Sequence, residues 1–325
     1  MNHAPSLDRA AASRRWDAID VARGVAIVAM VVYHVSWDMS FYELIATNIL
    51  VVPAWQWFAR SIAGSFLILV GIGLAFAHAA GLQRRSFLWR LAKIGGAALV
   101  ITVATLLAFP DSYIFFGILH CIAVSSVLAL PFLGAPRPLT AAVALGCLLA
   151  PSLFQDPALD HPLLDWLGLG LLEPHTNDYV PILPWFGPVL IGLLAGQALL
   201  RLRTPAVGRW RATNPVARGL AFAGRKSLPI YLLHQPISLA VLYGVLQMTG
   251  PNPMAQAAPF VRECEANCRA GGSTAARCSA TCGCVVSELR QNGLWSQALT
   301  DRVRPEEQTR ISGLVQQCLR RSPPL

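Results

Sequence analysis

The chain has 325 residues, of which 54% are hydrophobic and only 13% charged, and its formal charge is +9. Soluble domains carry about 25% charged residues, so this composition excludes an ordinary soluble domain and points to a polytopic membrane protein. The basic excess does not indicate nucleic acid as a partner, because the lysines and arginines sit in loops between apolar runs, where they read as a topology signal.

Residues 1–14 read as a disordered cytoplasmic N-terminus. The stretch Asp20 to Asp38 holds the first apolar run, which resembles a signal peptide in having Arg9, Arg14, Arg15 and Arg23 before it. No small-x-small cleavage site follows, since the exit reads Tyr33-His34-Val35-Ser36-Trp37, so an uncleaved span is expected. A span needs about 20 mostly apolar residues. Seven candidates follow in order: 22–41, 61–80, 94–110, 114–133, 138–154, 183–200 and 228–249. The apolar piece 163–172 is too short to cross and is expected to lie at the surface or to re-enter. The expected fold is an all-α bundle of about seven spans over 15–250, with a Cys-rich helical tail over 251–325.

Every lysine and arginine can be allotted. With the N-terminus cytoplasmic, 16 fall on the inner side, one (Arg60) falls in the opposite loops, and nine lie in the tail. That asymmetry predicts an N-in orientation, an odd number of spans and an extracytoplasmic tail. The protein is therefore expected to be a multi-pass inner-membrane protein whose first partner is the lipid bilayer. The outer loop 155–182 has no Lys or Arg but holds Asp156, Asp160, Asp165, Glu173 and Asp178. It can attract an amine or a sugar, or simply be solvated.

Four histidines lie in or near spans. His34 is ten residues past Gly24, about 15 Å along a helix, beyond the midplane. Asp38 follows at i+4 on the same face and can orient the imidazole and raise its basicity. His120 is at similar depth in the fourth span, either as a packed partner or as the third member of the expected catalytic set of His34, Asp38 and His120. The plain alternative for His34 is a structural hydrogen bond between helices. His234 reads as nearer the cytoplasmic end, where Pro236 frees backbone groups for it or Gln235 to satisfy. His78 reads as interfacial. Haem ligation by His34 and His120 is disfavoured because each span has one lone histidine. At the cytoplasmic mouth Asp20, Arg23, Arg84, Arg85, Arg225 and Lys226 can hold an anionic ligand. Topology alone explains those basic residues, except for Arg23, which is paired in sequence with Asp20.

The tail holds six of the eight cysteines. Two Cys-x-x-x-Cys pairs flank Ala-Gly-Gly-Ser-Thr, and cysteines four apart share one helix face. A helix–turn–helix with the glycines at the turn predicts disulfides Cys264–Cys282 and Cys268–Cys278, and Cys284–Cys318 as a third. An even count outside the cytosol suits an oxidising compartment. Zinc is the rival reading, but the spacing is unusual for it and no histidine lies nearby. No metal is expected.

Four stretches carry a resemblance: Arg15-Trp-Asp-Ala-Ile-Asp-Val-Ala-Arg-Gly24, Phe116-Gly-Ile-Leu-His120, Asp178-Tyr-Val-Pro-Ile-Leu-Pro-Trp-Phe-Gly187 and Ser227-Leu-Pro-Ile-Tyr-Leu-Leu-His234. In this order they resemble bacterial relatives of the heparan-α-glucosaminide N-acetyltransferase catalytic domain, over about 15–248. The histidine eleven residues after Arg23 is also similar to the first span of membrane acyltransferases that modify polysaccharides from acyl-CoA. The resemblance implies transfer of an acetyl group from cytosolic acetyl-CoA, a cosubstrate and not a bound cofactor, to an amino-sugar or glycan on the far side. It gives Asp178 and Trp185 as substrate-binding residues. Direct transfer and an acyl-histidine intermediate both stay open, and a homodimer is compatible. Two other readings remain. One is a proton-coupled transporter or flippase using His34, Asp38 and His120, against which stands the lack of an inverted repeat. The other is a non-catalytic assembly subunit whose tail binds a partner.

Overall fold

The computed structural model describes residues 16–47, 49–79, 81–202, 210–250, 252–299 and 304–321. The expected disordered N-terminus and Arg9, Arg14, Arg15, Arg203 and Arg209 of the charge count lie outside the described residues. The main helices are α1 (Asp17–Phe41), α2 (Pro53–Ala77), α3 (Arg84–Ala108), α4 (Ile118–Leu128), α5 (Arg137–Leu153), α6 (Ile182–Arg201), α7 (Pro215–Arg225) and α8 (Ser227–Thr249). Three more, α9 (Pro253–Ala270), α10 (Ala275–Gln291) and α11 (Pro305–Arg321), build the tail. No strand occurs among the described residues.

Five helices, α1, α2, α3, α6 and α8, are long and apolar enough to cross a membrane. The two other expected spans are shorter: α4 has 11 residues and α5 has 17. At ~1.5 Å per residue α4 covers about 16 Å, half of a ~30 Å hydrocarbon layer. It starts only at Ile118 because the backbone at Gly117 is extended. The piece 163–172 forms one 3-10 turn, Asp165–Leu167, rather than a longer helix. Helix α3 exposes Leu99, Val100, Val103, Leu106 and Leu107, an apolar face of the kind that meets lipid in a membrane bundle.

Contacts group the chain into two compact units, 1–34 with 54–235, and 35–53 with 236–325. In the first, the core is formed by α2, α4 and α6 through Leu67, Leu74, Ile118, Ile122, Phe186, Val189, Leu190 and Leu193. Little hydrophobic effect drives helices together inside lipid, so close backbone approach matters. Helices α2 and α6 meet through glycines from both sides. A β-carbon at Gly71 would collide with the Val189 carbonyl oxygen, and one at Gly192 with that of Ile68. Helix α5 packs along α6. Helix α7 is amphipathic, with Ala217, Ala221 and Gly224 buried at spacings of four and three and Val216 and Phe222 outward. Its start is fixed by Pro215 and by Asn214, whose side chain accepts the Ala217 N–H at 2.7 Å.

In the second unit, α9 and α10 form a helical hairpin whose turn contains Gly271 and Gly272, and α11 packs on α10. Three disulfides join them: Cys264–Cys282, Cys268–Cys278 and Cys284–Cys318. The first two come from the four-residue spacing on each helix. Their small core holds Val285, Leu289, Leu294 and Cys318, with Phe260 and Trp295 edge to face at 5.5 Å. A single small core in a unit of roughly 70–80 residues supplies little stability, and disulfides commonly supplement it.

Overpacking typically costs about 1–3 kcal/mol, and more where backbone faces backbone. Gly71→Val and Gly192→Val are therefore expected to reduce membrane accumulation and to lower the melting temperature of the solubilised protein. Gly95→Ala and Gly96→Ala, which face open space, should leave both measurements unchanged or slightly improved.

Candidate active site

The site is built on a second glycine crossing. A β-carbon at Gly24 of α1 would collide with the Leu220 carbonyl oxygen of α7, and one at Gly224 with that of Asp20. The two helices touch backbone to backbone there, which is why glycine follows Arg23. Ten residues separate Gly24 from His34, and ten separate Gly224 from His234. Continuous α1 carries His34 about 15 Å from the crossing, and α8, which starts afresh after the non-helical Lys226, brings His234 beside it.

The imidazoles of His34 and His234 are accordingly neighbours, with ring centroids 4.9 Å apart and planes at 62°. Tyr33 and Tyr231 flank the pair. The tautomer of His234 follows from its partner: Nδ1 lies 2.7 Å from the Tyr231 carbonyl oxygen, which can only accept. Nδ1 therefore carries the proton, and Nε2 of the neutral ring bears a lone pair. That Nε2 is buried with no hydrogen-bond partner among the described residues. A buried polar atom without a partner is costly, and between aromatic rings it offers a position for a ligand proton.

His120 has a different environment. The Gly117 N–H donates to its Nδ1 at 3.3 Å, and its Nε2 lies 3.2 Å from the Thr102 hydroxyl. That hydroxyl in turn donates to the Ile114 carbonyl at 2.7 Å. Both ring nitrogens are thus engaged in tying the start of α4 to α3. His34 is brought together with His234 rather than with His120. The sequence placed His234 nearer the cytoplasmic end because it measured depth from the start of α8, without the crossing that sets α1 and α7 level. Asp38 is fully buried and accepts the Ser238 hydroxyl.

Asp178 caps α4. The Ile118 N–H donates to its Oδ2 at 3.0 Å, and a β-carbon at Gly117 would collide with that oxygen. The carboxylate is delivered by a segment that runs along the chain before α4: Asn177 N–H donates to Ser112, Val180 N–H to Phe116 and the Thr176 hydroxyl to Tyr113. Burial raises the Asp178 carboxyl to about 6, against the opposing Ile118 N–H. Its charge reaches the Tyr33 and Tyr231 side chains that flank the histidines. Trp185 packs into the first unit's core with its ring edge toward Gly64.

At the other end of α1 a carboxylate is outnumbered. Asp20 is buried and lies 3.5 Å from Arg23 and 3.9 Å from Arg225. Arg90 of α3 joins them: a β-carbon at Gly73 would stand 3.0 Å from one Arg23 nitrogen and 3.7 Å from both terminal nitrogens of Arg90. Two guanidiniums thus flank the carboxylate and a third, Arg90, stands near Arg23, an excess of positive charge that favours an added anion. Arg84, Arg85 and Lys226 are exposed, and Asp17 instead accepts the Ala212 N–H at 3.2 Å. Sequence reasoning gave Arg90 no role in the site. Its position six residues after Arg84 on one helix was the available signal.

The sequence model of a family described as heparan-alpha-glucosaminide N-acetyltransferase, catalytic, matches residues 15–236. Those residues include Asp20, Arg23, His34, Arg90, Asp178 and His234. No curated protein and no solved structure matches the chain.

A carboxyl raised from 3.8 to about 6 by folding keeps its proton where the unfolded chain has lost it. Its contribution is present at low pH and disappears as pH rises through about 6. The melting temperature is therefore expected to fall between about pH 4 and pH 6, and Asp178→Asn should flatten that decline. Thermal unfolding of both proteins across this range is the measurement.

Proposed function

The chain belongs to the heparan-alpha-glucosaminide N-acetyltransferase catalytic family, whose members are of the membrane acetyltransferase type, and we propose that it moves an acetyl group from cytosolic acetyl-CoA to an amino-sugar or glycan beyond the membrane. The observation that carries this reading is the buried, unpartnered Nε2 of His234 beside His34. The arginines at the Asp17 end of α1 suit the donor's phosphates, with Arg23, Arg90 and Arg225 as the binding set. The charge count supports placing that end in the cytosol.

In this mechanism the thioester carbonyl sits at the histidine pair. A proton leaves the acceptor N–H or O–H for a ring nitrogen of His34 or His234. The freed lone pair attacks the carbonyl carbon, the C–S bond breaks, and the departing thiolate takes up the proton. The pair keeps this proton out of hydrocarbon, where an isolated charge is costly. Asp178, within electrostatic reach of Tyr33 and Tyr231, is the group we assign to an acceptor amine, with Trp185 supporting the same wall. His120 serves as a strut for α4. An acyl-histidine route uses the same two rings and would leave label on the protein.

Purified protein given labelled acetyl-CoA and amino-sugars is expected to transfer label. His34→Ala and His234→Ala should each lower kcat by about 100-fold or more, the usual scale of a general base, while His120→Ala mainly lowers thermal stability. Arg23→Ala and Arg90→Ala should raise KM for acetyl-CoA more than they change kcat. Absence of transfer by the unaltered protein, or full activity in both histidine variants, overturns the reading.

A further inference from the structure

The second compact unit contains a cavity of about 260 Å³ that the acetyl-transfer reading does not use. Its walls include Trp37 and Phe41 from the end of α1, Glu43 and Leu50 from the segment that follows, and Arg262 from α9. It is a built site. Trp37 and Phe41 stack at 5.3 Å with planes 13° apart. The segment after α1 is held by Asn252, whose amide donates to the Leu44 carbonyl at 3.0 Å, and by the Tyr42 hydroxyl on Leu239.

Three features narrow the occupant. Glu43 has φ of +53°, a backbone state that non-glycine residues adopt at a cost and that clusters at binding sites. Glu43 and Arg262 line the same cavity with opposite charges, yet neither takes part in an ion pair among the described residues. The rim carries exposed Phe41, Leu50 and Val51 where a membrane span ends, and aromatic residues at such ends sit among lipid headgroups. The volume is below the roughly 300–1,000 Å³ of drug-sized ligand pockets. It suits a headgroup, not a whole lipid.

We propose that this cavity holds the headgroup of a zwitterionic phospholipid with a primary ammonium, phosphoethanolamine in chemical class. The ammonium donates to the Glu43 carboxylate, the phosphate is taken by the Arg262 guanidinium, and the glycerol and acyl chains leave over Phe41 and Leu50. A primary ammonium offers three N–H donors to the carboxylate. A quaternary choline offers none, and a glycerol headgroup lacks the positive charge. The inference does not depend on the chain's being an acyltransferase.

The test uses the full chain in nanodiscs of equimolar phosphatidylethanolamine, phosphatidylcholine and phosphatidylglycerol, with lipids retained after gentle delipidation counted by native mass spectrometry. Phosphatidylethanolamine should exceed each of the others by about tenfold, the scale of one or two charge-assisted hydrogen bonds. Glu43→Gly suits the backbone at this position, so it should keep the melting temperature and the three tail disulfides while bringing the ratio to about one. Arg262→Ala should lower retention of phosphatidylethanolamine, and Arg262→Lys should restore part of it. Soluble glycerophosphoethanolamine at millimolar concentration should compete; failure to compete while the lipid stays selective assigns the recognition to the acyl chains and overturns a headgroup site. Equal retention of the three lipids, or selectivity surviving in Glu43→Gly, also overturns it.

Discussion

The backbone contact between α1 and α7 is the constraint from which the candidate site follows. Gly24 and Gly224 let two main chains approach where any side chain would collide. That contact buries the Asp20 carboxylate. A buried carboxylate is tolerable only with partners, and Arg23 and Arg225 supply them from either side of the crossing. The same contact holds α7, from which α8 follows after Lys226, against α1, and His34 and His234 lie side by side. One steric fact thus governs both the charged end of the site and its pair of rings.

The histidines show how differently hydrogen bonding can engage one residue type. His120 has a donor on one nitrogen and a hydroxyl on the other. It is fully employed in joining α3 to α4, and Asp178 reinforces that joint by capping the same helix start. His234 has one nitrogen fixed by a carbonyl and the other buried without a partner. That ring is held in one tautomer beside a neighbouring imidazole, with one nitrogen left unsatisfied. The contrast rests on which atoms are satisfied and not on depth in the membrane.

The tail shows a different economy. Its three helices hold only a small apolar cluster, and the cross-links supply what the core lacks. The four-residue spacing of Cys264 and Cys268, and of Cys278 and Cys282, fixed that pairing in advance, because helix geometry puts such residues on one face. The glycines between them could only be a turn. The segments that contribute to the second compact unit were less legible, since nothing in the composition of 35–53 marks it as belonging with residues far along the chain.

The sequence alone determined the membrane class, the helical fold, the tail disulfides and the importance of the Asp20–Arg23–Gly24 stretch. Each of these depends on local periods, lengths and charges, which a linear reading preserves. Tertiary structure decided which histidine stands beside His34, that Arg225 pairs with Asp20 while Arg90 stands near Arg23, and that Asp178 caps α4. Those facts depend on where helices cross, and a crossing is set by the absence of side chains at glycines about 120 to 200 residues apart, whose pairing no local pattern records.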